Sequence, residues 1–313
     1  MERRGRGGPA IVYSKRYYAE IGLHVFPMRK FQLILEELER RGVVRADQVL
    51  DPEPASLEQV LRVHDREYVD KLLHGRLSVL EEAILELPYS EGLVEASFLC
   101  AGGSILAARE ALARGAAANL GGGFHHAFPD HGEGFCVFHD VAIALRELQA
   151  EKAIRRAAVI DVDVHQGNGT ATIFRDDPTV FTFSVHEEEN YPAVKPPSDQ
   201  DVGLETGADG ATYLAALEHW VPRILERHHP DLVAYVGGAD PFEEDQLGRL
   251  QLTRDDLRAR DRFVFGECAK RGIPIAVFLA GGYARDLADT VGIQSDMVEE
   301  AIRTAGSVRR EPA

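Results

Sequence analysis

A chain of 313 residues, 45% hydrophobic, has the length of one large α/β domain or two ordinary ones. No uninterrupted apolar run approaches the roughly 18 residues of a membrane span, and a formal net charge of -16 repels nucleic-acid backbones while favouring cationic partners. Three cysteines, Cys100, Cys136 and Cys268, make no disulfide scaffold, and the basic start Met1 to Arg6 leads into no apolar signal core, so the expected compartment is the reducing cytoplasm, with no membrane and no direct nucleic-acid contact.

In chain order, short apolar runs alternate with longer stretches of helical periodicity. The pattern predicts a strand near 10–13, helices over 28–41 and 93–114, a strand over 116–120, a helix over 141–151, and strands over 157–163 and 180–185. A helix over 210–228, a strand over 232–236, a helix over 254–271 and a strand over 275–279 complete it, with Asp209 and Thr253 placed to cap the last two helices. No repeat, low-complexity tract or linker divides the chain. The alternation predicts an α/β protein: one domain over residues 1–313, with three α/β/α layers and a mainly parallel central sheet.

In open parallel sheets function gathers beyond the carboxyl ends of the strands. The polar residues there are His125 and His126 after Gly121-Gly122-Gly123, Asp163 and His165 after the strand ending in Asp161-Val162, Asp240 after Gly237-Gly238, and Tyr283 after Gly281-Gly282. In Asp161-Val162-Asp163-Val164-His165 alternate side chains share one face, which is costly unless an ion or substrate collects them. Each feature alone has an ordinary structural reading, a strand-end carboxylate satisfied by amides or a buried histidine pair. Four coincident strand ends favour a site, and an Asp-His-Asp set suits one divalent transition metal. Gly281-Gly282 is expected to let the Tyr283 phenol swing toward a substrate carbonyl.

The blocks Gly122-Gly123-Phe124-His125-His126-Ala127, Gly134-Phe135-Cys136, Asp161 to Gly169, Gly238-Ala239-Asp240 and Ala280-Gly281-Gly282-Tyr283 resemble, in order over most of the chain, the signature of the zinc-dependent histone deacetylase family. The stretches from Asn190 to Leu204 and from Asp245 to Leu252 are most similar to its class IV-like members and bacterial histone deacetylase-like amidohydrolases. The resemblance implies an arginase-deacetylase fold and removal of acetyl or other acyl groups from the Nε of lysine, with one Zn²⁺ per chain on Asp163, His165 and Asp240. It implies that His126 is general base and then acid, that His125 is its electrostatic partner, and that Tyr283 donates to the oxyanion. Asp161 matches the carboxylate that orients His125. The partner of His126 falls at Asn168, where many relatives carry Asp, so His126 is expected to stay neutral more readily.

Phe135 and Tyr191 match the walls of a tunnel for the linear lysine side chain, with Gly134 and Leu247 beside them. Leu247 stands where acetylpolyamine-selective relatives place an acid. The family pattern also suggests a monovalent cation, K⁺, near Asp161, Asp163, His165 and Ser184. Partners implied are an acyl-lysine protein or peptide, or a small acetylated amine such as a polyamine; a long-chain lysine deacylase and a non-catalytic acyl-lysine binding module are the further alternatives. A dinuclear ureohydrolase-like centre is not expected, since Gly167 and Gly238 stand where its extra ligands belong. A homo-oligomer remains open. Asp140 is expected to cap the helix from 141 with His139 structural, His228-His229 to need no ligand at a helix end, and Glu187-Glu188-Glu189 to form a solvated face.

Overall fold

Runs rich in alanine and β-branched residues pair into a single sheet in the computed structural model, which describes residues 10–305. The basic start of the chain lies outside the described residues. The strands are β1 (Ala10–Val12), β2 (Val49–Leu50), β3 (Ala116–Asn119), β4 (Ala157–Asp161), β5 (Val180–Glu187), β6 (Gln200–Leu204), β7 (Leu232–Val236) and β8 (Ile275–Phe278). Their order is β2-β1-β3-β8-β7-β4-β5-β6, and every pairing is parallel. Every residue of β3, β4, β7 and β8 is buried, as continuous apolar runs covered on both faces require. The two strands absent from the sequence reading, β2 and β6, are the edges, where one neighbour and partial burial relax the demand for an apolar run.

The helices are α1 (Lys30–Arg40), α2 (Leu57–Val60), α3 (Arg66–Leu73), α4 (Val79–Leu85), α5 (Glu91–Arg114), α6 (Asp140–Ala150), α7 (Asn168–Phe174), α8 (Gly210–His228), α9 (Arg254–Lys270) and α10 (Leu287–Ala305). α5 and α6 pack together over one side of the sheet, while α8, α9, α10 and α1 follow one another over the other, giving three layers. By length and composition α5 could cross a membrane, but here it is the core helix, most of it buried against β1, β3, β8 and α6. Asp209 and Thr253 cap α8 and α9 as expected, accepting from Thr212 and Asp256 amides at 2.9 and 3.2 Å.

The α6 cap differs from expectation. His139 Nδ1 accepts from Ala142 N at 3.1 Å, and the Asp140 carboxylate turns the other way, into the glycine turn after β3. The α10 helix was also not predicted, because buried Gln294, Ser295, Asp296 and Glu300 interrupt its apolar stripe. Most of their polar atoms find partners: Gln294 Nε2 donates to Leu279 O and Gly281 O, Asp296 receives Arg41 and Arg254, and Glu300 receives Arg258 and Arg262, whereas Ser295 Oγ and Gln294 Oε1 are buried without one among the described residues.

Register sets the site. Asn119, Phe278, Val236 and Asp161 lie side by side across β3, β8, β7 and β4. Those strands are contiguous, so the chain segments leaving their carboxyl ends emerge next to one another although they are distant in sequence.

Candidate active site

Asp163 and His165 leave β4, and Asp240 leaves the neighbouring β7. All three are buried, with one donor atom of each lying within 4.8 Å of the others. Asp163 Oδ2 accepts from Gly281 N at 2.9 Å, its Oδ1 from His165 N at 3.0 Å, and Asp240 Oδ1 from Val164 N at 2.9 Å. Asp240 Oδ2 is buried with no hydrogen-bond partner. Burial and the charge of Asp163 push the Asp240 pKa up. Two crowded carboxylates with an orphaned oxygen are unfavourable alone and relieved by a cation. The backbone makes room for one: a Cβ on Gly281 would sit 1.9 Å from Asp240 Oδ2, and one on Gly238 would sit 2.3 Å from Asp163 Oδ2. Two carboxylates and an imidazole with a closed second sphere of amides fit Zn²⁺.

His125 and His126 follow the turn after β3. The turn is pinned by Asp140, whose carboxylate accepts from Gly123 N at 3.1 Å and Phe124 N at 2.8 Å and from Ser104 Oγ. His125 Nδ1 meets Asp161 Oδ2 at 2.7 Å, and His126 Nδ1 meets Asn168 Oδ1 at 2.7 Å. Burial opposes charge on His125, but Asp161 and Asp163 outweigh it and raise its pKa to about 9. At His126 burial acts with the charges of His125 and His165, and the pKa falls well below the usual value. Charge is thus favoured on His125 and disfavoured on His126.

Tyr283 follows β8, with its pKa pushed well up by burial, so the phenol keeps its proton. Among the described residues its hydroxyl has no hydrogen-bond partner. The turn before it is not a free flap. Lys30 Nζ donates to Ala280 O at 2.7 Å, Gly281 N to Asp163, and Tyr283 N to Asp245 Oδ2 at 2.7 Å. Asp245 also accepts from Leu247 and Gly248 amides at 2.8 and 3.0 Å. Gly281 packs against Asp240 and Asp163, where a Cβ would collide, and Gly282, with φ +141°, packs against Ala239 and Thr290.

His125, His126, Asp163, His165 and Tyr283 line a cavity of about 190 Å³ with Phe26, Phe124, Gly134, Phe135, Tyr191 and Leu247 on its walls. Gly134 and Phe135 both have positive φ, +51° and +67°, in a two-residue turn closed by Glu133 N to Cys136 O at 3.1 Å. The first position suits glycine; the phenylalanine holds a left-handed conformation at a cost of roughly 1–2 kcal/mol, and its ring faces Tyr283 across 5.9 Å.

A model of the histone deacetylase domain matches residues 24–294. The chain belongs to the histone deacetylase family. It is 42% identical over 285 residues, covering 91% of this chain and 95% of the other, to an uncharacterized protein of Picosynechococcus sp. strain PCC 7002. It is 32% identical to histone deacetylase 2 of Arabidopsis thaliana (90% and 77% covered) and 31% identical to the histone deacetylase-like amidohydrolase of Pseudomonas aeruginosa (87% and 75%). The crystal structure of the HDA15 HD domain superposes with a TM-score of 0.76 at 21% identity, covering 96% of this chain and 94% of that one, which shares the arginase-deacetylase fold. The protein is a hydrolase of this deacetylase family.

Within this deacetylase-family chain, several side chains at the site escape a reading of the sequence. Glu133 sits in a glycine-rich turn that reads as surface, yet its carboxylate reaches Asn168 Nδ2 and Tyr191 Oη, both at 2.6 Å. Lys30 resembles any helix-start lysine but is fully buried. Glu187 is not part of a solvated run: it is buried and takes Arg249 Nε at 2.8 Å, while Glu188 and Glu189 are exposed. Ser184 Oγ pairs with His186 Nδ1 at 2.9 Å, and both Asp161 oxygens accept hydrogen bonds within the protein. His228 stands 5.7 Å from the Phe181 ring, away from the cavity.

Proposed function

We propose that the protein is a zinc-dependent deacetylase that hydrolyses short N-acyl amides on the Nε of lysine. One observation carries this reading: an Asp-His-Asp cluster, a neutral imidazole and an unengaged phenol converge on the floor of one aromatic-walled cavity. Asp163, His165 and Asp240 would hold the zinc, which when bound polarises the acyl carbonyl and lowers the pKa of water. His126 Nε2 takes the proton of the attacking water and returns one to the leaving amine. His125, charged and tied to Asp161, keeps His126 neutral and adds positive potential near the developing oxyanion. Tyr283 donates to that oxyanion.

Leu247 gives the cavity a neutral side chain where a second ammonium group would call for an acid, which favours lysine over polyamines. Acetate release from an acetyl-lysine peptide pool by zinc-loaded protein, with Tyr283→Phe as control, tests the proposal. Turnover absent in the metallated wild type rules out acetyl-lysine.

A further inference from the structure

We propose that Glu133 is a positioning residue that sets the tautomer of His126 through Asn168 and, with the same carboxylate oxygen, holds Tyr191 in the cavity wall. The proposal rests on the reading of His126 as the base.

An asparagine amide has a donor end and an acceptor end, and its neighbours decide which way it points. Asn168 Nδ2 lies 2.6 Å from Glu133 Oε1. A carboxylate has no hydrogen to give, so the amide nitrogen must face it and the amide oxygen must face His126. That oxygen lies 2.7 Å from His126 Nδ1 and also accepts from Gly169 N at 3.0 Å. An acceptor there requires the proton on Nδ1, which leaves Nε2 with its lone pair toward the cavity. Asp161 does this for His125 by direct contact. For His126 the anion stands one amide away, so orientation is transmitted while the charge stays off the ring.

Glu133 is held firmly enough to impose this. Its main chain closes the tight turn with Cys136 in both directions, at 3.1 and 2.9 Å, and its Oε2 lies 3.3 Å from His131 Nε2. His131 Nδ1 is in turn 2.7 Å from Asp130. The Tyr191 hydroxyl donates to Oε1 at 2.6 Å, and the Tyr191 ring stands edge-on to His126, 5.0 Å away between centroids. One oxygen therefore fixes both the partner of the base and the wall against which substrate lies.

The test compares zinc-loaded Glu133→Gln, Glu133→Ala and Tyr191→Phe. Glutamine keeps an acceptor oxygen for Asn168 without the charge, alanine removes both, and Tyr191→Phe cuts only the wall arm. Glu133→Ala is expected to lower kcat on an acetyl-lysine peptide by about tenfold or more, a fraction of the 10²–10⁴ that a positioned base contributes. Glu133→Gln should restore kcat to within about threefold, and Tyr191→Phe should raise KM more than it lowers kcat. Long-range ¹H–¹⁵N spectra of imidazole-labelled protein, with His126 assigned by its loss in His126→Gln, give a readout independent of turnover. Wild type and Glu133→Gln should show His126 as Nδ1–H, and Glu133→Ala a mixture. Glu133→Leu keeps the volume if the alanine variant does not fold. An unchanged Nδ1–H signal in Glu133→Ala or Glu133→Leu overturns the proposal, as does a kcat loss in Glu133→Gln equal to that in Glu133→Ala. Absence of acetyl-lysine turnover in every form counts against the functional reading alone, because the spectra still decide the tautomer.

Discussion

The rings of His125 and His126 stand 4.0 Å apart between centroids, yet the Nδ1 of one meets a carboxylate and the Nδ1 of the other an amide oxygen, each at 2.7 Å. Adjacent imidazoles in one buried site cannot both carry charge cheaply, and the different partners decide which one does. In the proposed mechanism the proton acceptor is thereby assigned by what lies behind each ring, not by the rings themselves.

Exchanging the partners should move the pH profile. Asn168→Asp alone would set two carboxylates against each other, so Glu133→Gln accompanies it, and the amide then stands behind the acid. A carboxylate at His126 favours its imidazolium and raises a pKa that is now depressed. The base is then lost at a higher pH as acid is added, and the acid limb of kcat/KM should shift upward by about one unit or more. A pH profile overlying that of wild type would refute the assignment of the base.

Tyr283→Phe removes a hydroxyl that no described residue uses. We expect kcat to fall by about 10²-fold to 10³-fold, with KM and Tm nearly unchanged. A loss below about threefold would show that the oxyanion is stabilised by something else.

Gly281→Ala should abolish metal binding without replacing a ligand, because its Cβ would lie 1.9 Å from Asp240 Oδ2 and 2.7 Å from Asp163 Oδ2 and displace both. Zinc at one hundred times its Kd stabilises a folded site by about 2.7 kcal/mol, which a thermal melt resolves. Wild type should show that rise and lose it with a chelator, whereas the variant should show none. Equal zinc content by elemental analysis would sink the cradle argument.

Lys30 predicts an alkaline signature in stability. Burial lowers its pKa to about 8, against a partial upward pull from Asp240, Asp163 and Asp245. Below about pH 8 both folded and unfolded chains are protonated there. Between 8 and the ordinary lysine value the unfolded chain binds the extra proton, so stability rises with pH. The unfolding free energy of wild type relative to Lys30→Met should therefore be flat below about pH 8 and increase above it, measured by urea titration. A difference that is flat to pH 10 would mean that the ammonium is not destabilised by burial.

Much of this was legible from residues alone. The central strands announced themselves because burial on both faces leaves only apolar runs, and Asp163, His165, Asp240 and Tyr283 stood out as polar residues just past such runs. Edge strands β2 and β6 carry no comparable signal, and α10 hides its periodicity behind buried polar side chains. His139 is structural as expected but takes the capping role expected of Asp140, since either can cap a helix and only the position of the glycine turn decides between them. Glu133 and Lys30 were invisible for a simpler reason: a charged residue in a turn or at a helix start reads as solvated until the neighbouring strands bring partners to it.

The position of β8 between β3 and β7 also dictates when competence can arise during synthesis. Once the chain has left the ribosome as far as Asp240, just past β7, it already holds Asp163, His165, Asp240 and both imidazoles. β3 then has no neighbour on its inner side, however, and the imidazoles after it cannot be held against β4 until the last strand slides in. A chain interrupted before that point lacks β8 and the Ala280, Gly281 and Tyr283 wall that follows it, so the chamber is enclosed only once β8 is in place.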